Sequence, residues 1–465
     1  MQVEDWLVVG GGPVGTLALA VLLSDARISN VRFAWVDPNF KQMGRLGRYG
    51  SVPANTRTDR LLSVFRSLPA LDFDAAQARR RAAPNVTRVL SDGEPLGTEP
   101  LQASIDALKD GSDAIRRHGR VYALSGAVTA LRGKPGSSWE ATISGAATRV
   151  IQAQRVLLAT GAAPRLPPPA LLSAIATRYG EFRRKFKLLG FDDAVTPHRL
   201  LELVVRQPSL RNARFAIIGA SHSGMLAARN VVEYANATAV HIYSRGGVRL
   251  ADERDGWIKY DGTGLKGDVR AWAVEVLRVN GSRASCDGAQ QGHTQPPAVP
   301  GAVPGAVLGA VPGAVPGAEL GGGDGRPPRS VVVVHSDAPR TGDVDGDATE
   351  LAYRLMAIDD GVGVDWLMYA TGFERRRDGG GHGGSVALPE VSWSDAPLDL
   401  AAASYDGQNG RIAGAQGLHG IGIGFPEVYT DPEGYTEQRV GYVNSLVAHV
   451  QRIVGEHAAT AGDTS

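Results

Sequence analysis

Two glycine-rich segments of this chain have the residue types and the spacing that hold a dinucleotide. The first reads GGGPVG from Gly10 to Gly15 and stands between a short apolar run and a helix-like stretch. Gly10 permits a tight turn, Gly12 lets backbone N–H groups approach a pyrophosphate, and Gly15 lets the helix pack closely against its strand. Pro13 belongs to the same turn and is expected at the cofactor, where the positive end of the following helix would face the phosphates. Asp37 ends the next strand, 22 residues beyond Gly15, where an acid binds the ribose hydroxyls.

The second segment reads GASHSG from Gly219 to Gly224. Ser221 replaces the middle glycine of the pattern with another small residue, which still permits a close approach of the backbone. We expect the two glycines, Ser221, His222 and Ser223 to lie at a second cofactor.

No acid follows the second segment at the position that corresponds to Asp37. Ser244 and Arg245 stand there instead. A hydroxyl and a guanidinium suit a 2′-phosphate, both by charge and by bidentate geometry. The second site is therefore predicted to prefer NADPH over NADH.

Each glycine-rich segment is followed further along the chain by a strand that ends in Ala-Thr-Gly. Thr160 and Gly161 close the first of these strands, and Thr371 and Gly372 close the second. Two glycine turns, each with its own Ala-Thr-Gly strand end, indicate that the chain holds two nucleotides at once. We therefore expect all four residues to lie at the cofactor sites.

The composition of the 465-residue chain excludes several classes of function. A formal charge of +1 gives no electrostatic basis for binding nucleic acid or an acidic membrane. The single cysteine, Cys286, excludes an internal disulfide, a dithiol redox pair and a cysteine-based zinc site. No metal site is predicted, and no apolar run reaches the roughly 18 residues of a membrane span. We expect a cytoplasmic enzyme that acts on a small molecule.

Apolar periodicity predicts the elements that position these residues. Strands are expected at 6–9, 31–36, 120–129, 138–144, 149–158, 215–218, 239–243, 330–336, 351–358 and 364–369, and helices at 16–23, 101–117, 225–234, within 257–280 and from about Tyr435. The alternation of strands and helices around both glycine turns predicts an α/β fold with two Rossmann-like domains.

Residues 281–328 differ in composition from the rest of the chain. Six successive tetrads from Ala298 to Gly321 read AVPG, AVPG, AVLG, AVPG, AVPG and AELG. Proline and glycine every fourth residue oppose helices and sheet ladders alike, so we expect a disordered insert.

Three short motifs resemble those of the flavin-containing monooxygenases and their N-hydroxylating relatives. Tyr49-x-Ser51-x-x-x-Asn55 resembles their Tyr-x-Ser-x-x-x-Asn segment. The turn at Gly219 is similar to their NADPH turn, and the sequence YATGF at 369–373 is similar to their Phe-Ala-Thr-Gly-Tyr strand end. The order of the two turns resembles that of flavoproteins in which the first dinucleotide-binding domain holds FAD and the second holds NADPH.

The resemblance implies an activity and a division into domains. NADPH would reduce FAD, and a flavin peroxide would then oxygenate a nitrogen, sulfur or carbonyl centre of a small molecule, with molecular oxygen as co-substrate. Residues 1–165 would form the first part of a discontinuous FAD-binding domain and residues 366–465 its second part. An NADPH-binding domain at 200–365, which contains the insert at 281–328, would lie between them in the chain.

Two residues are candidates for catalysis. Asn55 corresponds to the asparagine that lies over the flavin in the relatives, although a turn role after Pro53 is the alternative. His419 lies in the stretch expected near the flavin, although a structural histidine is the alternative. Because the Phe-x-Gly-x-x-x-His fingerprint of these monooxygenases has no counterpart between Arg165 and Arg214, two other functions stay open. They are an NAD(P)H oxidase or quinone-type acceptor reductase without oxygen insertion, and a non-catalytic redox sensor.

Overall fold

The fold is described from a computed structural model. It defines residues 3–53, 58–66, 101–181, 186–244, 247–255, 257–279, 306–311, 330–335, 351, 355, 363–376, 387–439 and 443–462. The chain divides into two compact units, the first formed by residues 1–163 with 373–465 and the second by residues 164–372.

Both units are built from short strands and α-helices. The strands are β1 (Val3–Val9), β2 (Phe33–Asp37), β3 (Val121–Ser125), β4 (Ala127–Gly133), β5 (Trp139–Ser144), β6 (Arg149–Leu158), β7 (Ala163–Pro164), β8 (Lys187–Leu188), β9 (Arg214–Ile218), β10 (Ala239–Tyr243), β11 (Asp252–Arg254), β12 (Trp257–Lys259), β13 (Ala306–Val311), β14 (Ser330–His335), β15 (Trp366–Tyr369), β16 (Phe373–Glu374), β17 (Glu390–Trp393), β18 (Ala396–Leu398), β19 (Leu418–Gly420), β20 (Glu427–Thr430) and β21 (Thr436–Arg439). The helices are α1 (Pro13–Ser24), α2 (Thr58–Arg66), α3 (Leu101–Arg117), α4 (Pro169–Glu181), α5 (Phe191–Val195), α6 (Pro197–Arg206), α7 (His222–Ala235), α8 (Gly267–Val279) and α9 (Val443–Gly462).

The main sheet of the first unit is mixed. Its strand order is β18-β17-β4-β5-β6-β1-β2-β3, and β19 also pairs with β6. β1 lies between β2 and β6 and is parallel to both, so that Val9 is opposite Val36 on one side and Leu158 on the other. The carboxyl ends of these three strands therefore meet at one edge, which is where ligands bind in open α/β sheets.

β1 is apolar along most of its length because both of its faces are covered. Trp6 and Val8 pack in the core formed with α1, α3 and α9. Leu7 and Val9 point the other way, into the core that includes β4, β5 and residues of the carboxy-terminal segment. Successive side chains of a strand alternate between the two faces, so a doubly covered strand reads as a continuous apolar run.

The sheet of the second unit is largely parallel. Its order is β13-β14-β10-β9-β15-β8, in which β14, β10, β9, β15 and β8 run in the same direction. β9 lies between β10 and β15, just as β1 lies between β2 and β6. The expected architecture of two Rossmann-like units is confirmed, and α3 and β6 begin and end at the residues that periodicity predicts.

The predicted disorder of the insert is wrong for residues 306–311. These residues form β13, which pairs antiparallel with β14 from Ala306 opposite His335 to Val311 opposite Ser330. The physical reason lies in the third tetrad, where Leu308 replaces proline. The six residues AVLGAV between Pro304 and Pro312 keep all their backbone N–H groups and can join a ladder. Residues 281–305 and 312–328 lie outside the described part of the chain.

The helix expected from about Tyr435 begins eight residues later, at Val443. Residues Thr436–Arg439 instead form β21, which pairs antiparallel with β20. The turn between these strands is closed by hydrogen bonds from the Asp431 N–H to the Tyr435 carbonyl and from the Gly434 N–H to the Asp431 carbonyl. Asp-Pro-Glu-Gly is a hairpin signal that outweighs the apolar periodicity of the residues beyond it.

The strand expected at 351–358 is also wrong at the positions that the structure describes. Leu351 and Leu355 are helical and buried. Two leucines four residues apart lie on the same face of a helix. Periodicity alone does not distinguish such a helix from a strand in a short apolar run.

Candidate dinucleotide sites

The first glycine turn follows β1 and is locked to its neighbouring strands. The Gly10 N–H donates to the Val36 carbonyl at 2.8 Å. Gly10 has a φ of +111°, and a Cβ there would lie 2.4 Å from the Ala159 carbonyl oxygen. A Cβ on Gly15 would lie 1.9 Å from the Gly10 carbonyl oxygen. The fold itself therefore requires glycine at both positions, since no side chain fits.

Gly12 stands in a different environment. It caps the amino terminus of α1 with φ −72° and ψ −173°, a conformation open to any residue. A Cβ there would meet nothing closer than 3.9 Å, where Met43 and Gly44 lie. Packing within the protein does not require a glycine here, since a Cβ would make only ordinary van der Waals contacts, and a glycine at this position fits a ligand that approaches the backbone. Pro13, as the first residue of α1, has no N–H to lose.

Asp37 ends β2 beside this turn and is buried. Its carboxylate accepts hydrogen bonds from the Gly11 N–H at 2.6 Å and from the Asn39 N–H at 2.7 Å. Burial raises the pKa of the Asp37 carboxyl, and the two backbone hydrogen bonds oppose part of that rise. Each carboxylate oxygen keeps acceptor capacity, which suits the ribose hydroxyl pair expected there.

The second glycine turn repeats the geometry of the first. The Gly219 N–H donates to the Tyr243 carbonyl at 2.8 Å, and Gly219 has a φ of +115°. A Cβ on Gly219 would lie 2.3 Å from the Ala370 carbonyl oxygen, and one on Gly224 would lie 1.9 Å from the Gly219 carbonyl oxygen. Ser221 caps α7 with φ −72° and ψ 178°, close to the values at Gly12. The two turns have the same hydrogen bond, the same close contacts and the same cap.

The helix amino termini at both turns are open to an anion. Neither α1 nor α7 has an acidic residue in its first turn, and neither cap residue makes a side-chain hydrogen bond to the helix. The first N–H groups of a helix have no partner within the helix, and together with the helix dipole they favour a phosphate. Both turns therefore fit the pyrophosphate of a dinucleotide.

The two Ala-Thr-Gly strand ends are also equivalent. Gly161 has a φ of +75° and Gly372 a φ of +105°, and a Cβ on either would meet nothing within 4 Å. The side-chain hydroxyls of Thr160 and Thr371 are both buried and lack a hydrogen-bond partner in the described part of the chain. Each glycine turn thus has beside it the same combination of open space and a buried polar group.

Three of the other residues predicted for the second site lie at the start of α7 or directly after β10. His222 and Ser223 are the first two residues of α7, and both ring nitrogens of His222 are buried. The Ser244 hydroxyl follows β10 and donates to the Gly247 carbonyl at 3.0 Å. Arg245, the predicted ligand of the 2′-phosphate, lies outside the described residues.

The two catalytic candidates receive no support from the structure. Asn55 lies outside the described residues. His419 is in β19 and only 6% exposed, and its Nδ1 lies 3.2 Å from the Asn409 carbonyl oxygen. Its ring centroid lies 6.1 Å from that of Trp6. This is the environment of a structural histidine, so we leave His419 out of the proposed catalytic set.

The carboxy-terminal segment contributes a further run of glycines beside the first glycine turn. The sequence analysis does not identify the individual residues of this run as site residues. A Cβ on Gly422 would lie 2.7 Å from Val14 in the first turn of α1. A Cβ on Gly424 would lie 2.5 Å from the Gly161 carbonyl oxygen and 3.5 Å from Cγ of Arg375. The alternating glycines of GIGIG at 420–424 are the signal, because the close approaches to α1 and to the residue Gly161 beyond β6 leave no room for a side chain.

The sheet order and the two equivalent turns define a protein with two Rossmann-like dinucleotide-binding units. No family model matches the chain. Over 459 residues it is 26% identical to Monooxygenase AgnR1 of Paecilomyces divaricatus, covering 94% of this chain and 93% of that protein. This relative confirms the resemblance to monooxygenases.

The solved structures to which the chain is similar include an ornithine hydroxylase and an ornithine N-hydroxylase. The reduced ornithine hydroxylase of Pseudomonas aeruginosa is 13% identical, with a TM-score of 0.49 and coverage of 98% of this chain and 99% of that one. The ornithine N-hydroxylase of Kutzneria sp. 744 is 15% identical, with a TM-score of 0.48 and coverage of 98% and 99%. The fold assignment itself rests on the strand order and the two turns. No helix in the described ranges has the length and apolar character to cross a membrane.

Proposed function

We propose that this protein is an FAD-dependent monooxygenase that uses NADPH as reductant and oxygenates a nitrogen, sulfur or carbonyl centre of a small molecule. The observation that carries the proposal is the presence of two glycine turns of the same geometry in one chain. The similarity of the chain to a monooxygenase, over 94% of its length, supports a monooxygenase rather than another enzyme that binds two nucleotides. The single cysteine argues against the alternative in which a dithiol pair accepts the electrons.

Each unit would hold one nucleotide. In the first, the Gly12 backbone and the amino terminus of α1 would bind the FAD pyrophosphate, and Asp37 would bind its ribose. In the second, Ser221 and the amino terminus of α7 would bind the pyrophosphate of NADPH, with Ser244 and Arg245 at its 2′-phosphate. FAD, when bound, supplies the electron transfer and the activation of oxygen, while the protein positions it and excludes water.

The absorbance spectrum of the purified protein tests this proposal most directly. We expect a yellow protein whose flavin bands bleach on addition of NADPH without oxygen. With air and a reactive amine, thioether or ketone, we expect a product that contains oxygen from isotopically labelled O₂. Turnover that yields only hydrogen peroxide or a reduced quinone would instead support the oxidase or acceptor reductase, and flavin that NADPH never reduces would support the sensor. A colourless protein that FAD cannot reconstitute would refute all three.

Replacing Arg245 with glutamate is expected to weaken NADPH binding by about a hundredfold, because it removes a charge-assisted hydrogen bond and adds repulsion. NADH lacks the 2′-phosphate, so its affinity should change by less than about threefold. Steady-state KM values for the two cofactors check this. Arg254→Glu is the matched control, since Arg254 is paired with Asp252 at 2.7 Å in the same unit. If Arg245→Glu weakens the binding of NADPH and NADH equally, Arg245 does not bind the 2′-phosphate.

The compartment and the partners follow from the same proposal. Besides NADPH as reductant, the proposed reaction requires a small-molecule substrate and molecular oxygen, and a cytoplasmic location fits a chain with one cysteine.

A further inference from the structure

The first residue of α7 is a histidine with buried ring nitrogens. His222 directly follows the cap residue Ser221, and neither Nδ1 nor Nε2 of its ring has a hydrogen-bond partner among the described residues. Both nitrogens are buried although the side chain as a whole is partly exposed. Buried polar atoms in native proteins are nearly always paired, and an exception at a ligand site points to the ligand. The equivalent residue of the first turn, Pro13, has no side-chain polar atom.

Burial, with a smaller contribution from one neighbouring charge, keeps the ring neutral in the free protein. Among the described residues, the charge that acts on the imidazole is Lys266, which immediately precedes α8. Its ammonium forms an ion pair with the buried carboxylate of Asp261 at 2.5 Å. Burial lowers the pKa of His222 to about 4, and Lys266 adds to the decrease. The positive end of α7 acts in the same direction.

A pyrophosphate at the same helix terminus would reverse this balance. It brings two negative charges to the helix terminus at which His222 is the first residue, and its oxygens can accept hydrogen bonds. Opposite charge within a few ångströms favours the protonated form of a histidine. The neutral ring, in contrast, has nothing to pair with among the described residues of the free protein.

We propose that nucleotide binding at the second glycine turn is coupled to the uptake of one proton by His222. The proton comes from solvent and forms an N–H bond on the imidazole, which then carries the positive charge opposite the pyrophosphate. This inference rests on the proposed assignment of a nicotinamide dinucleotide to the second unit, and it adds a proton to that binding equilibrium.

The coupling predicts how affinity depends on pH. If the pyrophosphate restores the pKa of His222 to its ordinary value near 6.5, the association constant rises about fourfold between pH 8 and pH 6. The 2′-phosphate of NADP⁺ itself gains a proton near pH 6. The quantity to compare is therefore the difference between the wild-type protein and a variant without the imidazole.

The test is calorimetric titration of the full-length holoprotein with NADP⁺, in buffers of different ionisation enthalpy, at about pH 6 and about pH 8. We expect wild type to take up more protons than His222→Asn at the lower pH, and the fourfold rise to disappear in the variant. His198→Asn, on α6 of the same unit, is the matched control and should behave like wild type. If His222→Asn does not fold, His222→Gln replaces it.

The two proposals fail in distinguishable ways. Binding of NADP⁺ with equal proton uptake in wild type and the His222 variant would overturn the coupling and leave the cofactor assignment intact. Absence of saturable NADP⁺ binding at both pH values would overturn the cofactor assignment and the coupling together.

Discussion

Gly12→Val is expected to give a folded protein that binds FAD at least about a hundredfold more weakly than wild type, a loss of about 3 kcal/mol. The backbone at Gly12 has φ −72° and ψ −173°, which valine adopts without strain. A Cβ there would lie 3.9 Å from its nearest protein neighbours, so the turn itself can keep its shape. The added methyl groups would obstruct the approach of the pyrophosphate to the backbone. Flavin content after purification and titration of the apoprotein with FAD measure the effect.

Matched variants separate a blocked site from a damaged fold. Gly12→Ser copies the residue that the second turn carries as Ser221, and we expect it to keep FAD within about tenfold. Gly119→Ala, in the same unit, adds a Cβ where nothing lies within 4 Å and should bind FAD as wild type does. Circular dichroism and NADP⁺ binding by the second unit report on folding. If Gly12→Val binds FAD as tightly as wild type, the pyrophosphate does not bind at the Gly12 backbone.

Gly15→Ala tests the other kind of glycine in the same turn. Its Cβ would lie 1.9 Å from a backbone oxygen, so this variant is expected to lose the fold of the turn along with the flavin. The contrast with Gly12 shows why the sequence predicts these turns so well. Close contacts within each turn and with the residue after the adjacent strand require glycine at four positions: Gly10, Gly15, Gly219 and Gly224. Because these contacts are the same in both turns, the required glycines have the same spacing in the sequence.

Elements that depend on local periodicity were equally predictable. The apolar spacing of α3 and the apolar run of β6 give their bounds directly. Periodicity does not predict β13 or the late start of α9, because one residue decides the first and a four-residue turn decides the second. One leucine in place of proline permits β13, and the Asp-Pro-Glu-Gly turn converts the expected start of a helix into a hairpin.

Burial of histidines could not be predicted from the sequence. His419 follows a glycine-rich approach that suggests a cofactor site, yet its ring is buried on β19, a strand that pairs with β6. The lowered pKa of His222 likewise depends on burial and on Lys266, which is 44 residues away in the chain. Such placements arise from the packing of distant elements, for which a single sequence has no local signal.

Acidification is expected to destabilise the first unit strongly, because two of its histidines are buried in the neutral form. His419 is 6% exposed and His449, on α9, is 1% exposed. Burial lowers the pKa of both to about 4. For His419 the field of Arg155 and Arg411 adds to the effect, while the Asn409 carbonyl opposes it. For His449 the charge of Arg452 and the other histidine add to it, while Asp406 opposes it.

The direction of the pH effect follows from proton uptake. Above about pH 6.5 both histidines are neutral in the folded and the unfolded chain, so they do not change stability. As the pH falls below that value, both histidines become protonated in the unfolded chain. In the folded unit they stay neutral until about pH 4. Each histidine then costs about 3 kcal/mol, a large share of the roughly 5–15 kcal/mol that stabilises a domain.

Urea unfolding followed through flavin release, between about pH 8 and about pH 4.5, measures this loss. His419→Asn keeps an amide donor for the Asn409 carbonyl, which lies 3.2 Å from Nδ1 in the wild type, but it cannot take up a proton. We expect this variant to have a flatter pH profile than wild type below about pH 6.5, and the double variant with His449→Gln to have the flattest. His198→Asn, in the second unit, should leave the profile unchanged. If the acid sensitivity of flavin release is the same in the double variant as in wild type, the two buried histidines do not cause it.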